Sequence, residues 1–123
     1  RILKAVQPLK NAAYCSIGEA ALVKYIVNTY LATKVVFMNE MCQLAEAHNY
    51  DWRRIRILFD VDQRIGKSHD RVPGPDGQYG FGGMCFPKDT NALVKYAGKL
   101  GVQLSVLKTA IKKNVLLRLQ KPK

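Results

Sequence analysis

Cysteine is scarce in this chain of 123 residues: Cys15, Cys42 and Cys85 are an odd number at wide spacing, with no C-x-x-C pair. That excludes a disulfide framework and favours a reducing, cytoplasmic setting. Neither His48 nor His69 stands at a ligand spacing from any cysteine, so no metal is expected. Acidic residues are also few, nine against twenty Lys plus Arg for a net charge of +11. None follows Asp89, whereas Lys95, Lys99, Lys108, Lys112, Lys113, Arg118, Lys121 and Lys123 do. Such a block can attract a polyanion, nucleic acid or a nucleotide diphosphate among them. No helix-turn-helix pattern, RNP-like aromatic motif or zinc finger accompanies it, so a solvated helix face is the simpler reading and nucleic acid is not an expected partner. A long uninterrupted apolar run is missing too. The longest stretch, Ala20 to Met38, is broken by Lys24, Asn28 and Lys34, which argues against a membrane span. No charged segment followed by a short apolar one marks a secretory signal, and the opening on Arg1 suggests a piece of a longer polypeptide.

What remains is ordinary for a folded domain: 48% apolar and 24% charged residues, enough chain for one core. Strand alternation, βαβ patterning and internal repeats are lacking, which leaves an all-α fold. Glu19 to His48 carries one long helical pattern, preceded by Gly18 and followed by Asn49. Thirty residues would extend about 45 Å, longer than so small a domain is wide. Its apolar positions, from Leu22, Val23 and Ile26 to Met41, Cys42 and Ala45, exceed one narrow stripe, which favours a homodimer packed along this helix. Upstream, Arg1 to Pro8 reads as a fraying helix end and Ala12 to Ile17 as a short extended piece. Asp51 is a candidate N-cap for a second helix, Trp52 to Phe59, with Trp52, Ile55 and Leu58 or Phe59 inward. Between Arg64 and Gly83 seven glycines and prolines precede Gly83 itself, so this is a loop, and a loop that long in a small domain is usually functional. Helix resumes at Asp89 or Thr90 and runs to Leu100, stopped by Gly101. Ser105 is a candidate cap for a last helix to Leu119 with Val106, Ala110, Ile111, Val115 and Leu119 on its inner face.

Chemistry concentrates at the loop's end, Gly80-Phe81-Gly82-Gly83-Met84-Cys85-Phe86-Pro87-Lys88-Asp89. Its glycines let a ligand approach the backbone. Cys85 precedes a helix and has Lys88 nearby, and both a helix N-terminus and an ammonium stabilise a thiolate. A buried structural cysteine is the alternative on these residues alone. Cys42, on an apolar face, and Cys15, in the short extended piece, both read as core. Lys24 and Asn28 share a helix face one turn apart and offer an ammonium and an amide able to hold an oxyanion or orient a water. A snorkelling lysine and a tolerated asparagine would look the same. Asp89 is either an N-cap or a base for an active-site water.

At these residues the chain resembles the nucleotide-sugar dehydrogenases, most closely the UDP-glucose 6-dehydrogenases. Three blocks carry the resemblance: Glu19-Ala20-Ala21-Leu22-Val23-Lys24-Tyr25 through Asn28 and Leu31-Ala32-Thr33-Lys34 to Asn39-Glu40; Asp62-Gln63-Arg64-Ile65-Gly66; and the Gly80 to Asp89 segment. The resemblance implies an all-α dimerisation domain built on one long helix, like the C-terminal domain of 6-phosphogluconate dehydrogenase, with a short extended N-terminal tail. Residues 1–18 would then end a preceding NAD-binding domain and residues 19–123 would be the central catalytic and dimerisation domain. No G-x-G-x-x-G fingerprint occurs here, so the implied cofactor, NAD, would be bound mainly elsewhere.

By the same resemblance, UDP-glucose is oxidised twice at C6, to aldehyde and then to UDP-glucuronic acid. Cys85 would capture the aldehyde as a thiohemiacetal, and hydride loss would give a thioester that water opens. Lys24 and Asn28 would hold the C6 oxygen and the water, and Asp89 would assist proton transfer. Arg64 would reach the substrate across the dimer interface, Phe81 and Gly82 would line the sugar site together with Lys24, and Lys88 would contribute toward the cofactor. Met84 stands where the family often has serine, and Arg71 to Tyr79 is an extended loop that bears on the placement of Arg64. GDP-mannose and N-acetylated UDP-sugar dehydrogenases share the thiol chemistry and are alternatives, as is a non-catalytic helical dimerisation or nucleic-acid-binding module.

Overall fold

A computed structural model describes residues 14–123 and contains four helices: α1 (Ile17–Ala47), α2 (Trp52–Phe59), α3 (Cys85–Lys99) and α4 (Ser105–Arg118). There is no strand among the described residues. The expected helix end at Arg1 to Pro8 and the start of the extended piece at Ala12 lie outside them.

The long helix is α1, which packs against each of the other three. It starts two residues earlier than its apolar pattern suggests, because Ser16 and Glu19 form a reciprocal capping box: the Glu19 amide donates to the Ser16 hydroxyl at 3.1 Å and the Ser16 amide to the Glu19 carboxylate at 2.8 Å. Gly18 therefore lies inside the helix. Cys15, expected in the core, is exposed. Cys42 is buried as expected, and burial, followed by Glu46, pushes its thiol up to about 11. The inward residues of α1 serve two clusters. Ala32 and Val36 join Phe81, Ala110 and Leu117, whereas Met38, Cys42 and Ala45 join Trp52. The first cluster is the one that positions the site, since Phe81 comes from the glycine-rich segment itself.

Burial within this chain covers only part of α1. Leu22, Val23, Ile26, Val27, Tyr30, Phe37 and Leu44 are exposed. An 18-residue window of α1 has a mean hydropathy of 1.2, so by length and composition this helix could cross a membrane, and the expectation that Lys24, Asn28 and Lys34 forbid it is corrected. One face of the helix nonetheless packs into the two apolar clusters of this chain. Lys34 is buried, with its ammonium donating to the carbonyls of Ile65 at 3.0 Å and Gly66 at 3.2 Å, and Asn39 is buried and fully engaged.

The second helix matches expectation at both ends, with the Asp51 carboxylate accepting from the Arg53 amide at 2.9 Å. Trp52 is buried, Ile55 and Phe59 pack beside it, and Leu58 points out. Residues 64–83 form a loop without helix or strand. Its first half is tied to α2 by Arg56, whose guanidinium donates twice to one oxygen of the buried Asp70, at 3.1 and 2.7 Å, while the Trp52 indole donates to the Asp70 carbonyl at 3.2 Å.

The third helix begins at Cys85, four residues ahead of the expected start at Asp89 or Thr90. Pro87 is tolerated in the first turn, where an amide has no intrahelical acceptor. It ends as expected, with Gly101 at φ +74° just past Leu100. The last helix has Leu104 rather than Ser105 at its cap, and its inner face is also corrected: Leu107, Ala110, Asn114 and Leu117 are buried, whereas Val106, Val115 and Leu119 are exposed. The apolar-only pattern misses Asn114, and with it the phase of the helix.

Candidate active site

The early start of α3 sets the site. Cys85 occupies the first helical position, exposed, and no side chain caps the helix end before it. Asp89 follows at i+4, one turn along the same face. It is therefore not an N-cap. Its carboxylate, only 2% exposed, accepts a hydrogen bond of 2.6 Å from the Asn28 amide of α1, and the Lys88 ammonium lies 3.5 Å from its other oxygen. The Asn28 bond first of all, aided by Lys88 and Lys24 against the opposing effect of burial, holds the Asp89 carboxyl below its ordinary value of 3.8. A carboxylate held ionised in this way is a weak base and a strong orienting group. Because Nδ2 of Asn28 is engaged by Asp89, Oδ1 of Asn28 remains to accept from a ligand or a water. Lys24, one turn back on α1, supplies positive charge at the same junction. The structure thus brings Cys85, Asp89, Asn28 and Lys24 to the meeting of α1 and α3.

Beside this junction is a cleft of about 430 Å³ walled by the glycine segment (Gly80, Phe81, Gly82, Gly83), by Phe86 and Val35, and by His69, Arg71 and Asp76 of the long loop. Cys85 lies between two wall residues, Gly83 and Phe86, without being a wall itself. Phe81, expected to line the sugar site, stands in the wall of this cleft, with its side chain 6% exposed and packed into the core. Gly82 is also in the wall, and the space its Cβ would take is filled by the Arg118 guanidinium, 2.6 Å from that position. Arg118 also pairs with Asp76 at 2.8 Å.

Arg64 is not brought into this group. It is exposed and folds back on its own neighbour Asp62, with Nη2 at 2.6 Å from the carboxylate. Lys88, expected to serve a dinucleotide, is an exposed ammonium chemically able to meet a phosphate. It is the extent of what these residues offer such a cofactor, since the chain has no glycine fingerprint and the described residues no strand. No group of three His, Cys, Asp or Glu able to hold a metal occurs among the described residues.

The family model for the central domain of the UDP-glucose/GDP-mannose dehydrogenase family matches residues 18–115, which include every one of these side chains except Arg118. This chain belongs to that family. Similar proteins include the UDP-glucose 6-dehydrogenase YwqF of Bacillus subtilis, 39% identical over 98 residues, 80% of this chain and 21% of that protein. The UDP-glucose 6-dehydrogenase of Rickettsia conorii is 40% identical over 113 residues, 90% of this chain and 25% of the relative. That of Pseudomonas aeruginosa is 38% identical over 96 residues, 78% and 20% respectively. The chain thus spans about a fifth to a quarter of the length of these curated relatives.

Three members of the site in this dehydrogenase domain escaped the reading of sequence. Asn39 and Asn114 are buried and bond the backbone of Gly80 and Phe81, and Arg118 braces Gly82 and Asp76. A polar residue in the middle of an otherwise apolar helix face was the available signal for both asparagines. Arg118 was submerged in the basic C-terminal block.

Proposed function

We propose that this chain is the nucleophile-bearing central part of an NAD-dependent UDP-glucose 6-dehydrogenase, which oxidises the C6 alcohol of UDP-glucose to UDP-glucuronic acid in two steps. The observation that carries it is the placement of Cys85 at the start of α3, one turn from an Asp89 bonded to Asn28 at 2.6 Å. NAD, held mainly outside this chain, would supply the hydride acceptor for both oxidations.

The chain's own residues would do the following. The Cys85 thiolate attacks the C6 aldehyde: an S–C bond forms, the carbonyl π pair moves to oxygen, and that oxygen takes a proton to give the thiohemiacetal. Lys24 offsets the charge developing on the oxygen. At the thioester, Asn28 Oδ1 accepts a hydrogen bond from the attacking water and so orients it, with Asp89 fixing the amide. Collapse of the tetrahedral adduct then expels the Cys85 thiolate. Phe81 and Gly82 would line the sugar site as part of the cleft wall, and Lys88 would face the cofactor. Residues 1–18 would end the NAD-binding domain and residues 19–123 would form the central one. The exposed apolar row of α1 would be the homodimer contact, through which Arg64 would reach the partner's substrate. A cytoplasmic setting accords with the exposed, reactive Cys85.

The test is the NADH formed per UDP-glucose consumed by the full-length protein, with its Cys85→Ala variant alongside. Two NADH per sugar, with acid formation lost in the variant, supports the reading. Acid formation unchanged in the variant overturns the role of Cys85, and activity on GDP-mannose or an N-acetylated UDP-sugar in place of UDP-glucose overturns the substrate.

A further inference from the structure

A segment rich in glycine has few side chains with which to hold itself in place, so its position must be set by what grips its backbone. Two buried asparagines grip this one. Asn114, from the middle of α4, accepts from the Phe81 amide through Oδ1 at 2.7 Å and donates to the Phe81 carbonyl through Nδ2 at 2.9 Å. Asn39, from α1, accepts from the Gly80 amide at 3.1 Å and is itself steadied by donating to the Val35 carbonyl at 2.8 Å. Asn39 is 2% exposed and Asn114 8%. The approach is close: Gly80 has φ +72°, and a Cβ there would run into Asn114 Oδ1.

Neither asparagine is the choice that helix stability alone would make. A leucine at either position would raise helix propensity and avoid burying an amide. What asparagine supplies is a donor and an acceptor on one planar group, able to occupy both polar groups of Phe81 at once. With Gly80 and Phe81 so engaged, the wall of the cleft is fixed relative to α1, which carries Lys24 and Asn28. Just beyond it Gly82 and Gly83 face the cleft, two residues short of Cys85.

We propose that Asn114 and Asn39 are positioning residues for the substrate: they set the glycine wall at the distance from α1 that admits the nucleotide sugar and seats its C6 against Cys85. This rests on the function proposed above. It assigns them no contact with substrate, and it separates them from Cys85, whose reactivity toward a small reagent does not depend on the wall.

The experiment uses the full-length protein and its Asn114→Ala and Asn39→Ala variants. The readouts are KM and kcat for UDP-glucose and the rate of Cys85 alkylation by iodoacetamide with and without UDP-glucose. The variants should raise KM by about tenfold or more, as expected for losing one or two buried hydrogen bonds from the wall. The UDP-glucose concentration that protects Cys85 should rise in parallel, while alkylation without substrate stays within about twofold. Asn114→Asp serves as the second variant, and carries the test if Asn114→Ala does not fold. Its carboxylate keeps the acceptor but opposes the Phe81 carbonyl, so its KM should exceed that of the wild type at neutral pH. It should fall back toward wild type as acidification restores an O–H donor. KM and protection unchanged in both Asn114→Asp and Asn39→Ala, or a fall in kcat with KM unchanged, would overturn the clamp alone. A wild-type protein that neither turns over UDP-glucose nor has Cys85 protected by it would overturn the proposed function, and the clamp with it.

Discussion

Replacing Gly80 with alanine tests whether the glycine wall is held as tightly as its contacts imply. Two separate effects should add. The first is conformational: Gly80 has φ +72°, where an L-residue with a Cβ costs about 1 kcal/mol. The second is steric, because the new Cβ runs into Asn114 Oδ1 and lies 3.2 Å from the Leu117 Cβ. Leu117 is fully buried and cannot yield, so Asn114 must move and both of its bonds to Phe81 are lost. Each buried group left without a partner costs about 1–3 kcal/mol. The expected destabilisation is therefore about 3–7 kcal/mol, a large share of the stability of an ordinary domain. Gly77→Ala is the matched control, since Gly77 has φ +75° but nothing within 4 Å of its Cβ, so only the conformational effect of about 1 kcal/mol remains. Urea unfolding followed by the fluorescence of Trp52, the single tryptophan of this chain, should show the Gly80 midpoint about 1 to 3 M below the Gly77 one for a slope of about 2 kcal/mol/M. Equal shifts for the two variants would refute the argument, because they would mean that Asn114 yields freely and grips nothing.

Asn28→Ala should change the acid side of stability. In the wild type the Asp89 carboxyl is depressed below 3.8, so its contribution is present above that pH and lost as pH falls through the depressed value. Removing the Asn28 amide removes the largest cause of the depression. The difference in urea midpoint between wild type and variant should be constant above about pH 5 and shrink below 3.8, and a difference independent of pH would contradict it. Arg56→Met should destabilise by about 3 kcal/mol, since it leaves the buried Asp70 carboxylate without its partner, and it should shift the emission of Trp52, which donates to the Asp70 carbonyl. An unaltered spectrum and midpoint would show that this tie does not hold the loop. Ile26→Glu, on the exposed apolar row of α1, should reduce the mass of the full-length protein in solution from dimer to monomer, and an unchanged mass would place the interface elsewhere.

The elements that could be read from sequence were those whose local signals agree with their packing. For α2 the cap at Asp51, the length and the inward Trp52 are all written within nine residues, and both ends are where the pattern puts them. The far end of α3 is equally local, a glycine at the residue that must turn left-handed. The near end is not. Pro87 and the glycines before it read as loop, yet proline suits a first helical turn, and four more residues join the helix once α1 is there to pack against. The consequence is chemical: Asp89 becomes a residue one turn along from Cys85 rather than a cap, and its carboxylate is turned toward Asn28, 61 positions earlier in the chain. No spacing rule reports a contact over that separation. The face of α4 was misphased for the same reason, since an apolar pattern ranks Asn114 outward, whereas the backbone of Phe81 needs an amide on the inner side. Residues that carry chemistry are legible through their type and neighbours. Those that position them, Asn39, Asn114 and Arg118, are defined by a backbone segment from another part of the chain, and their polarity makes sense only after that segment has been laid against them.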